Sequence, residues 1–529
     1  MKNLRFSLLY ICFLLVISAC KQKQAAETKT IDSSHKVSAY YKAPVFENDN
    51  RLEKIKKLAP ELQELMVEHA NLNNIPGIAY GIVVDNELAI AAATGLINRE
   101  TKFQSETTSS FRIASMTKSF TAMAILKLRD EGKLALGDPA SKYIPEMNSL
   151  EYLTSDSPAI DIENLLTMTA GFPEDNPWGD RQLDETDQML TTLIEQGLSF
   201  SNVPSHHFEY SNTGYAILGQ IITRITGLPY QEYIRESILQ PLGMDKTYWE
   251  FENIPKEQLA IGYRWEDEQW KLEPMLHDGS FGAMGGLITS IEDFSKYVRF
   301  HLSAWPPKNG TQSGPLKRSS IREMHTPQFT RLNTDAKDFN GDPCAQVSGY
   351  GYGLSISKDC KSIIRVRHGG ALPGFGSNYV FYPEYGIGIM AIGNLTYTGP
   401  LPSGKIEKLL FDTAQLKPRH LPISSILAER QEQVQQLIQT WNPEIEKEII
   451  AENLYLDESR ERRMKQFKEI FKKAGEIKRI DRIVPWNQLR GVYKVHAENG
   501  VIQVYFSLTP EKNPKVQDLY VSFEPNEKR

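Results

Sequence analysis

Ser115 and Lys118, in the tetrapeptide Ser-Met-Thr-Lys, are the residues whose types and spacing most clearly predict chemistry. Residues three apart on a helix lie on one face, so the serine hydroxyl and the lysine amine would be neighbours. A serine hydroxyl is a weak nucleophile until a base takes its proton, and burial lowers the pKa of a lysine enough to help. The apolar run from Phe120 to Leu128 would bury the lysine. The pair therefore predicts nucleophilic catalysis, although on its own an ordinary helix start would explain it better.

Two later segments contain residue types that would complete such a site. Tyr210-Ser211-Asn212 precedes an apolar run from Ala216 to Ile225, and His368-Gly369-Gly370 follows a strand-like run from Ile363 to Val366. Ser-x-x-Lys, then Tyr-x-Asn, then Lys/His-x-Gly on a strand are the motifs of the penicillin-recognising serine hydrolases. The chain therefore resembles the class C β-lactamase family of penicillin-binding-protein-like serine hydrolases, which includes D-alanyl-D-alanine carboxypeptidases, D-aminopeptidases and esterases. The resemblance covers roughly residues 55 to 400.

The resemblance implies a role for each matching residue. Ser115 would attack a carbonyl carbon and form an acyl-enzyme, while Lys118 and Tyr210 would share the proton transfer. A phenol titrates at about 10 in water, so Tyr210 would act as a base only if the charge of Lys118 favoured the phenolate. Asn212 would hold Lys118 or the substrate amide, and a helix cap is the alternative explanation for it. The backbone N–H groups of Ser115 and Ala371 would form the oxyanion hole.

The third motif departs from the pattern of the family. Many β-lactamases and DD-peptidases have lysine, a hydroxyl residue and glycine at the positions of His368, Gly369 and Gly370. The hydroxyl that helps to bind a substrate carboxylate is missing, and a histidine is mostly neutral near pH 7. We therefore expect weaker binding of a penicillin or D-Ala-D-Ala carboxylate, and hydrolysis of esters, amides or peptides before β-lactams. A non-catalytic protein that binds cell-wall peptides or β-lactams in the same cleft is the alternative.

The composition limits the classes of partner. The 529 residues are enough for two or three domains, and 40% apolar and 24% charged residues are ordinary for a globular protein. A net charge of −6, without a block of Lys and Arg, argues against nucleic-acid binding. The histidines and cysteines show no metal-binding spacing, and nothing implies a cofactor. A small molecule or a peptide is the expected substrate.

The N-terminus predicts export and lipidation. Two basic residues precede an apolar stretch, Phe6 to Val16, which leads into Ile17-Ser18-Ala19-Cys20 and resembles a bacterial lipobox. Residues 1–19 would then be a signal peptide, Cys20 would carry the lipid, and residues 20–50 would form a flexible tether. The protein would be anchored in the bacterial cell envelope, on the periplasmic or surface side. An ordinary signal peptide or an uncleaved anchor is the alternative.

The remaining cysteines, Cys344 and Cys360, are a candidate disulfide. They flank a strand-like run, Tyr350 to Ser357, and export would place them in an oxidising compartment. Two unpaired thiols are the alternative.

Strand-like segments occur early and late, with helical segments between them. A helix is expected over Arg51–Leu72, split or kinked at Pro60. The strand candidates are Ile78–Val84, Leu88–Thr94, Tyr350–Ser357, Ile363–Val366, Ser377–Tyr382 and Ile387–Ile392. This order predicts a multidomain α/β protein in which residues 51–415 form one antiparallel sheet flanked by helices, with a helical insertion over roughly 130–300. The resemblance implies the same β-lactamase/transpeptidase-like fold.

The last part of the chain predicts a separate domain. Residues 416–424 contain two prolines and read as a linker, and residues 425–529 predict a small α+β domain. Alternating apolar and polar residues on both sides of Asn499-Gly500 predict a hairpin with a type I′ turn, and Gln517–Phe523 predicts a third strand. No catalytic set of residues stands out there, so we expect a structural or interaction domain whose partner the sequence does not name.

Overall fold

The computed structural model describes residues 35–526 of the chain. The predicted signal peptide and Cys20 lie outside the described residues. Within residues 35–526, none of the helices has the length and apolar content needed to cross a membrane. The strands of the first domain are β1 (Gly77–Val84), β2 (Glu87–Asn98), β3 (Phe103–Gln104), β4 (Phe111–Arg112), β5 (Tyr263–Glu266), β6 (Gln269–Leu272), β7 (Ile288–Thr289), β8 (Gln328–Asn333), β9 (Gln346–Tyr350), β10 (Ser355–Asp359), β11 (Ile364–Leu372), β12 (Phe375–Tyr382) and β13 (Ile387–Gly393).

A nine-stranded antiparallel sheet lies at the centre of the first domain. Its order is β3-β2-β1-β13-β12-β11-β10-β9-β8, so the early hairpin joins the late strands where β1 pairs with β13. Both of these strands are buried along their whole length, because helices cover the two faces of the sheet. The prediction of one antiparallel sheet assembled from both ends of the domain is confirmed.

Helices pack on both faces of this sheet. The helices of the first domain are α1 (Arg51–Lys57), α2 (Ala59–Leu72), α3 (Lys118–Asp130), α4 (Ile162–Leu166), α5 (Asn176–Gly179), α6 (Asp187–Gln196), α7 (Asn212–Thr226), α8 (Tyr230–Ile234), α9 (Gln240–Leu242), α10 (Gly282–Gly285), α11 (Ile291–Ser303), α12 (Arg318–Met324) and α13 (Ser403–Lys408). Side chains alternate between the faces of a strand, so Ile78 and Tyr80 pack with α1, α2 and α13, whereas Ala79 and Val83 belong to the core that contains α3, α7 and α11. The expected break near Pro60 is present, between α1 and α2.

Some details of the strands differ from the expectations. The segment Tyr350–Ser357, expected to be one strand, is divided between β9 and β10, because Gly353 has a φ of +69° and turns the chain. Strand β8 was not expected. Its side chains are nearly all exposed, so it shows no apolar alternation. The expected helical insertion also contains the hairpin of β5 and β6, and the short strand β7, which pairs with β4 from before the insertion.

A disulfide links Cys344 to Cys360, whose Cα atoms are 5.2 Å apart. It joins the two open ends of the hairpin formed by β9 and β10. The candidate pair named from the sequence is therefore linked in the structure.

The end of the predicted tether contacts the first domain. Val45 pairs with His420 across an antiparallel bridge. The guanidinium carbon of Arg51 lies 3.3 Å from the centroid of the Phe46 ring. Residues around Val45 are thus held against the folded body, which their polar composition did not predict.

The last part of the chain has its own hydrophobic core, which includes Leu427, Val504 and Leu519. Its helices are α14 (Ser425–Thr440), α15 (Pro443–Ile449), α16 (Leu454–Asp457) and α17 (Arg460–Ala474), and its strands are β14 (Ile477–Ile480), β15 (Val484–Asn487), β16 (Arg490–Ala497), β17 (Gly500–Leu508) and β18 (Val516–Pro525). Strands β14-β16-β17-β18 form an antiparallel sheet, and β15 also pairs with β16.

The hairpin of β16 and β17 is present, but the expected type I′ turn is wrong. Ala497 pairs with Gly500, so Glu498 and Asn499 form the turn. Neither has the positive φ that a type I′ turn requires. The Asn499 N–H donates to the carbonyl of Ala474 at the end of α17, so a tertiary contact fixes this turn.

Candidate active site

Ser115 lies on a one-turn 3₁₀ helix, Ala114–Thr117, that leads directly into α3. Ala114 has a φ of +51°, a conformation that costs energy for residues with a Cβ, so the chain bends sharply just before the serine. Met116 and Phe120 are fully buried and anchor the turn, whereas Ser115 lines a cleft of about 390 Å³. The turn thus presents the serine hydroxyl to the cleft.

Lys118 begins α3 and is completely buried beside Ser115. Its Nζ lies 2.7 Å from Asn212 Oδ1 and 3.0 Å from the Met284 carbonyl oxygen, and these oxygens can only accept hydrogen bonds. The third neighbour of Nζ is Ser115 Oγ, at 3.0 Å. A neutral amine has two N–H groups and one lone pair, so the two acceptors direct the lone pair at the serine hydroxyl.

Burial lowers the pKa of Lys118 to about 7, against the opposing effect of the Asp180 and Asp175 carboxylates. A substantial fraction of Lys118 is therefore neutral near pH 7 and can accept a proton. This is the state in which its lone pair can serve Ser115 as a base.

Tyr210 lines the same cleft, and its ring centroid lies 4.9 Å from Lys118 Nζ. Burial raises the pKa of Tyr210 above its ordinary value, while the Ser115 side chain acts in the opposite direction. The phenol is therefore protonated at neutral pH. The expected phenolate does not fit this environment, because the neighbouring lysine gives up its charge first.

Asn212 is the first residue of α7, but Ser211 is the residue that caps the helix. The Ser211 hydroxyl accepts a hydrogen bond from the Gly214 N–H, at 3.3 Å. The Asn212 side chain instead joins Lys118 to Asn176, whose Oδ1 lies 3.1 Å from Asn212 Nδ2. This second contact fixes the orientation of the amide, so that its oxygen faces the lysine.

His368 is buried in the wall of the cleft. Burial and the charge of Lys118 lower its pKa to about 4, so the ring is neutral near pH 7. Its Nδ1 lies 2.5 Å from the Gly369 carbonyl and donates to it, which leaves Nε2 to accept from the Tyr350 hydroxyl, 2.9 Å away. The first position of the third motif therefore supplies no positive charge.

Gly370 brings strand β11 against the turn that holds Ser115. A Cβ at this position would meet the Ile113 carbonyl oxygen and Ser377 Oγ, each at 2.2 Å. Ser377 Oγ in turn donates to that carbonyl, at 2.7 Å. Ala371, the next residue, lines the cleft together with Ser115, so the two expected oxyanion donors lie on opposed segments of one cleft.

Sequence reasoning did not identify two acidic residues, one that supports the start of α7 and one that lines the cleft. Asp175 accepts hydrogen bonds from the N–H groups of Asn212, at 2.6 Å, and Thr213, at 2.9 Å, and so fixes the start of α7. Asp180 lines the cleft and is only 2% exposed, and burial raises its pKa to about 7. Residues 175–180 are rich in turn formers, which indicates a loop, but their sequence does not specify these roles. Tyr397, which also lines the cleft, had no signal in the sequence.

The spacing of the histidines and cysteines in the sequence predicts no metal site. In the part of the chain that the structure describes, no three His, Cys, Asp or Glu side chains come together as a metal site would require.

Comparisons with known proteins agree with the geometry. A family model described as Beta-lactamase matches residues 62–411. Among curated proteins, the chain is 28% identical to protein flp of Staphylococcus aureus (strain COL) over 338 residues, which are 63% of this chain and 62% of that protein. The chain thus matches less than two thirds of the length of this relative.

Two solved structures share the fold. The octameric penicillin-binding protein homologue from Pyrococcus abyssi has a TM-score of 0.56 and 22% identity, and the match covers 89% of this chain and 96% of that one. The D-stereospecific amidohydrolase from Streptomyces sp. has a TM-score of 0.52 and 20% identity, over 66% of this chain and 97% of that one. The family match spans more than half of the sequence and includes Ser115, Lys118 and Tyr210. The chain belongs to the β-lactamase family of serine hydrolases.

Proposed function

We propose that this protein hydrolyses ester, amide or peptide substrates outside the cytoplasm, through an acyl-enzyme on Ser115. The observation that carries the proposal is the contact of Lys118 Nζ with Ser115 Oγ, at 3.0 Å, when Asn212 and Met284 accept both N–H groups of the neutral amine. A base aimed at the serine is what an acyl-transfer site needs.

Each step has a residue in position to perform it. Ser115 Oγ forms a bond to the substrate carbonyl carbon while its proton moves to Lys118 Nζ, and the N–H groups of Ser115 and Ala371 receive the oxyanion. When the tetrahedral intermediate collapses, the Tyr210 phenol gives its proton to the leaving group and recovers one from Lys118. Water then attacks the ester carbon of the acyl-enzyme while Lys118 takes one of its protons. When this second tetrahedral intermediate collapses, Lys118 returns the proton to Ser115 Oγ, and the carboxylic acid product leaves.

The neutral third motif supports esters, amides and peptides ahead of penicillins. His368 is uncharged, and Gly369 has no hydroxyl, so neither binds a carboxylate as lysine and a hydroxyl residue would. The fold shared with a D-stereospecific amidohydrolase makes D-amino acid amides a substrate class to test first.

The proposed location is the bacterial cell envelope, with a lipid on Cys20. The lipobox-like sequence supports it, and so does the Cys344–Cys360 disulfide, since disulfides are typical of oxidising compartments outside the cytoplasm. A radiolabelled fatty acid should be incorporated into the protein in cells and lost in Cys20→Ala. Incorporation that persists in this variant would contradict the anchor.

Covalent labelling tests the catalytic proposal. A fluorescent phosphonate should label Ser115, as located by mass spectrometry, and Lys118→Ala should slow labelling by about 100-fold to 10,000-fold because the base is gone. Lys127→Ala, at a partly exposed lysine of the same helix α3 that is paired with Glu131, is the matched control and should label normally. A label on another residue, or normal labelling in Lys118→Ala, would contradict the mechanism.

Turnover separates catalysis from simple binding. p-Nitrophenyl acetate and D-amino acid amides should be hydrolysed many times per active site. A single stoichiometric burst without further product would favour the non-catalytic binder that keeps the same cleft.

A further inference from the structure

A second cavity, of about 380 Å³, adjoins the catalytic cleft. The two share Tyr210, His368 and Gly369 as walls, but the second cavity reaches neither Ser115 nor Ala371. It therefore continues the cleft beyond the residues that perform the acyl transfer. We call it the Arg367 pocket, after the exposed arginine in its wall.

Arg367 brings an uncompensated positive charge to this pocket. Within residues 35–526, no carboxylate lies within ion-pair distance of its guanidinium, and its side chain makes no hydrogen bond. The neighbouring Arg365 lines the same pocket but is already paired, at 2.6 Å with Glu407 and at 2.8 Å with Asp359. Arg367 is thus the arginine of this pocket that is available to a ligand.

An aromatic surface also lines this pocket. Phe208 is 42% exposed, which is high for so large an apolar side chain, and its ring centroid lies 5.5 Å from that of Tyr350. Both rings line the pocket together with Leu401. An apolar or aromatic group of a ligand would cover this surface.

The position along strand β11 indicates which half of the substrate enters. Ala371 marks the scissile carbonyl, and Arg367 lies four residues earlier, which is about 13 Å along a strand. Tyr210, the residue that protonates the leaving group in the proposed mechanism, lines both the cleft and the pocket. The pocket therefore lies on the leaving-group side, and further out than the α-carboxylate of a single amino-acid leaving group would reach.

We propose that the Arg367 pocket binds an extended leaving group that carries an apolar or aromatic portion followed by a carboxylate. The inference rests on the proposed function and adds the substrate class. A planar guanidinium binds a carboxylate through two parallel hydrogen bonds, which makes Arg367 the specificity-determining residue for that anion. It also supplies the positive charge that the third motif lacks, at a greater distance from Ser115.

A matched pair of aryl acetates tests the proposal. One has 3-(4-hydroxyphenyl)propionate as its leaving group and the other has the corresponding propionamide, so the acyl group and the ring are the same. The acid should have a kcat/KM about fivefold above that of the amide at low ionic strength, and salt should reduce this ratio. The ratio is measured within one enzyme preparation and so does not depend on the folded fraction.

Substitutions of Arg367 decide the outcome. Arg367→Gln should bring the ratio to about one and Arg367→Glu should bring it below one, while hydrolysis of the propionamide ester changes little. Arg331→Gln, at an exposed arginine of the edge strand β8, is the matched control and should keep the wild-type ratio. A wild-type ratio near one, or an unchanged ratio in Arg367→Gln, would overturn the pocket assignment but leave Ser115 catalysis intact. Hydrolysis of both esters that persists in Ser115→Ala would overturn the proposed function as well.

Discussion

At the scale of single residues, the chemistry of this protein depends on the surroundings of one lysine. Lys118 is buried, yet it has no carboxylate in direct contact. Its neighbours are a serine hydroxyl, an amide oxygen and a backbone carbonyl. These groups stabilise an ammonium less than water does, so burial prevails and the pKa falls to about 7. The motif Ser-x-x-Lys acquires its function from this environment and not from spacing alone.

The rate of Ser115 acylation should therefore rise with pH through about 7 and level off above it. The sign follows from the lowered pKa of Lys118, because the neutral base exists above that value. The Asp180 carboxylate favours the charged lysine. Asp180→Asn should therefore shift the rise of the acylation rate to lower pH. Single-turnover labelling with a neutral ester between pH 5 and 9 measures both effects.

Asp180 itself titrates near the same pH. In the wild-type protein, the rise of the acylation rate with pH therefore reflects the coupled titration of Lys118 and Asp180. Asp156→Asn, an exposed aspartate in a turn, is the control and should reproduce the wild-type profile. If the rise of the acylation rate in Asp180→Asn stays at the same pH or moves to higher pH, the proposed effect of Asp180 on the pKa of Lys118 is wrong.

Site residues that belong to a motif were predictable from the sequence, and those that support them were not. The motifs specify both residue type and local spacing, and this made it possible to name Ser115, Lys118, Tyr210 and Asn212 from the sequence. Asn176 acts through a single hydrogen bond to Asn212, which is 36 positions away, and no local pattern encodes such a contact. The acid–base state also required the structure, since burial and not residue type determines it.

At the scale of elements, the proposed oxyanion hole depends on how closely strand β11 approaches the 3₁₀ turn of Ser115. Glycine at position 370 permits this approach, because its α-carbon faces the Ile113 carbonyl directly. The Ser377 hydroxyl on β12 donates a hydrogen bond to the same carbonyl. The segments that contain Ile113, Gly370 and Ser377 are distant in sequence, and together they determine the distance between β11 and the 3₁₀ turn of Ser115.

Gly370→Ala should separate these segments and slow acylation of Ser115 by about 100-fold or more, as the loss of an oxyanion donor does. The added Cβ would meet backbone at 2.2 Å, which no side-chain movement relieves. The phosphonate labelling rate measures the effect, and thermal unfolding shows how much stability is lost.

Gly369→Ala is the neighbouring control. Its Cβ would meet the end of the Asn378 side chain at 3.0 Å, which can move away, and the Ser377 carbonyl oxygen at an ordinary contact distance of 3.8 Å, so labelling should change by about twofold at most. Equal losses in the two variants would contradict the assigned role of the close approach.

Strands with an apolar pattern were predictable, whereas strands defined by their partners were not. Strands β1 and β13 are apolar throughout and were found, but β8 is exposed and exists because β9 offers it an edge. The division between β9 and β10 depends on the positive φ of Gly353. The sequence does not predict the φ angle of a glycine in an apolar run.

At the scale of the whole molecule, the chain folds around separate hydrophobic cores. Those that include Phe120 and Tyr80 belong to the first domain, and the one that includes Phe506 belongs to the last part of the chain. Active-site residues all come from the first domain, so the last domain is not needed to complete the catalytic cleft.

Calorimetry should therefore show two thermal transitions. Phe506→Ala should lower one of them, because losing a buried phenylalanine costs about 3–5 kcal/mol, and should leave Ser115 labelling unchanged. Phe120→Ala, on the helix that holds Lys118, should lower the other transition and slow labelling. A single transition that both variants lower equally would show that the domains unfold as one unit.

The pairing of β1 with β13 also determines when the central sheet of this protein can be completed. The edge of β1 that receives β13 remains open until Ile387–Gly393 has left the ribosome, some three hundred residues later. Closing so long a loop is slow, and an uncovered strand edge is a template for aggregation. A chain truncated before Ile387 therefore leaves this apolar edge of β1 without its partner, and we expect it to aggregate more readily than the full-length chain.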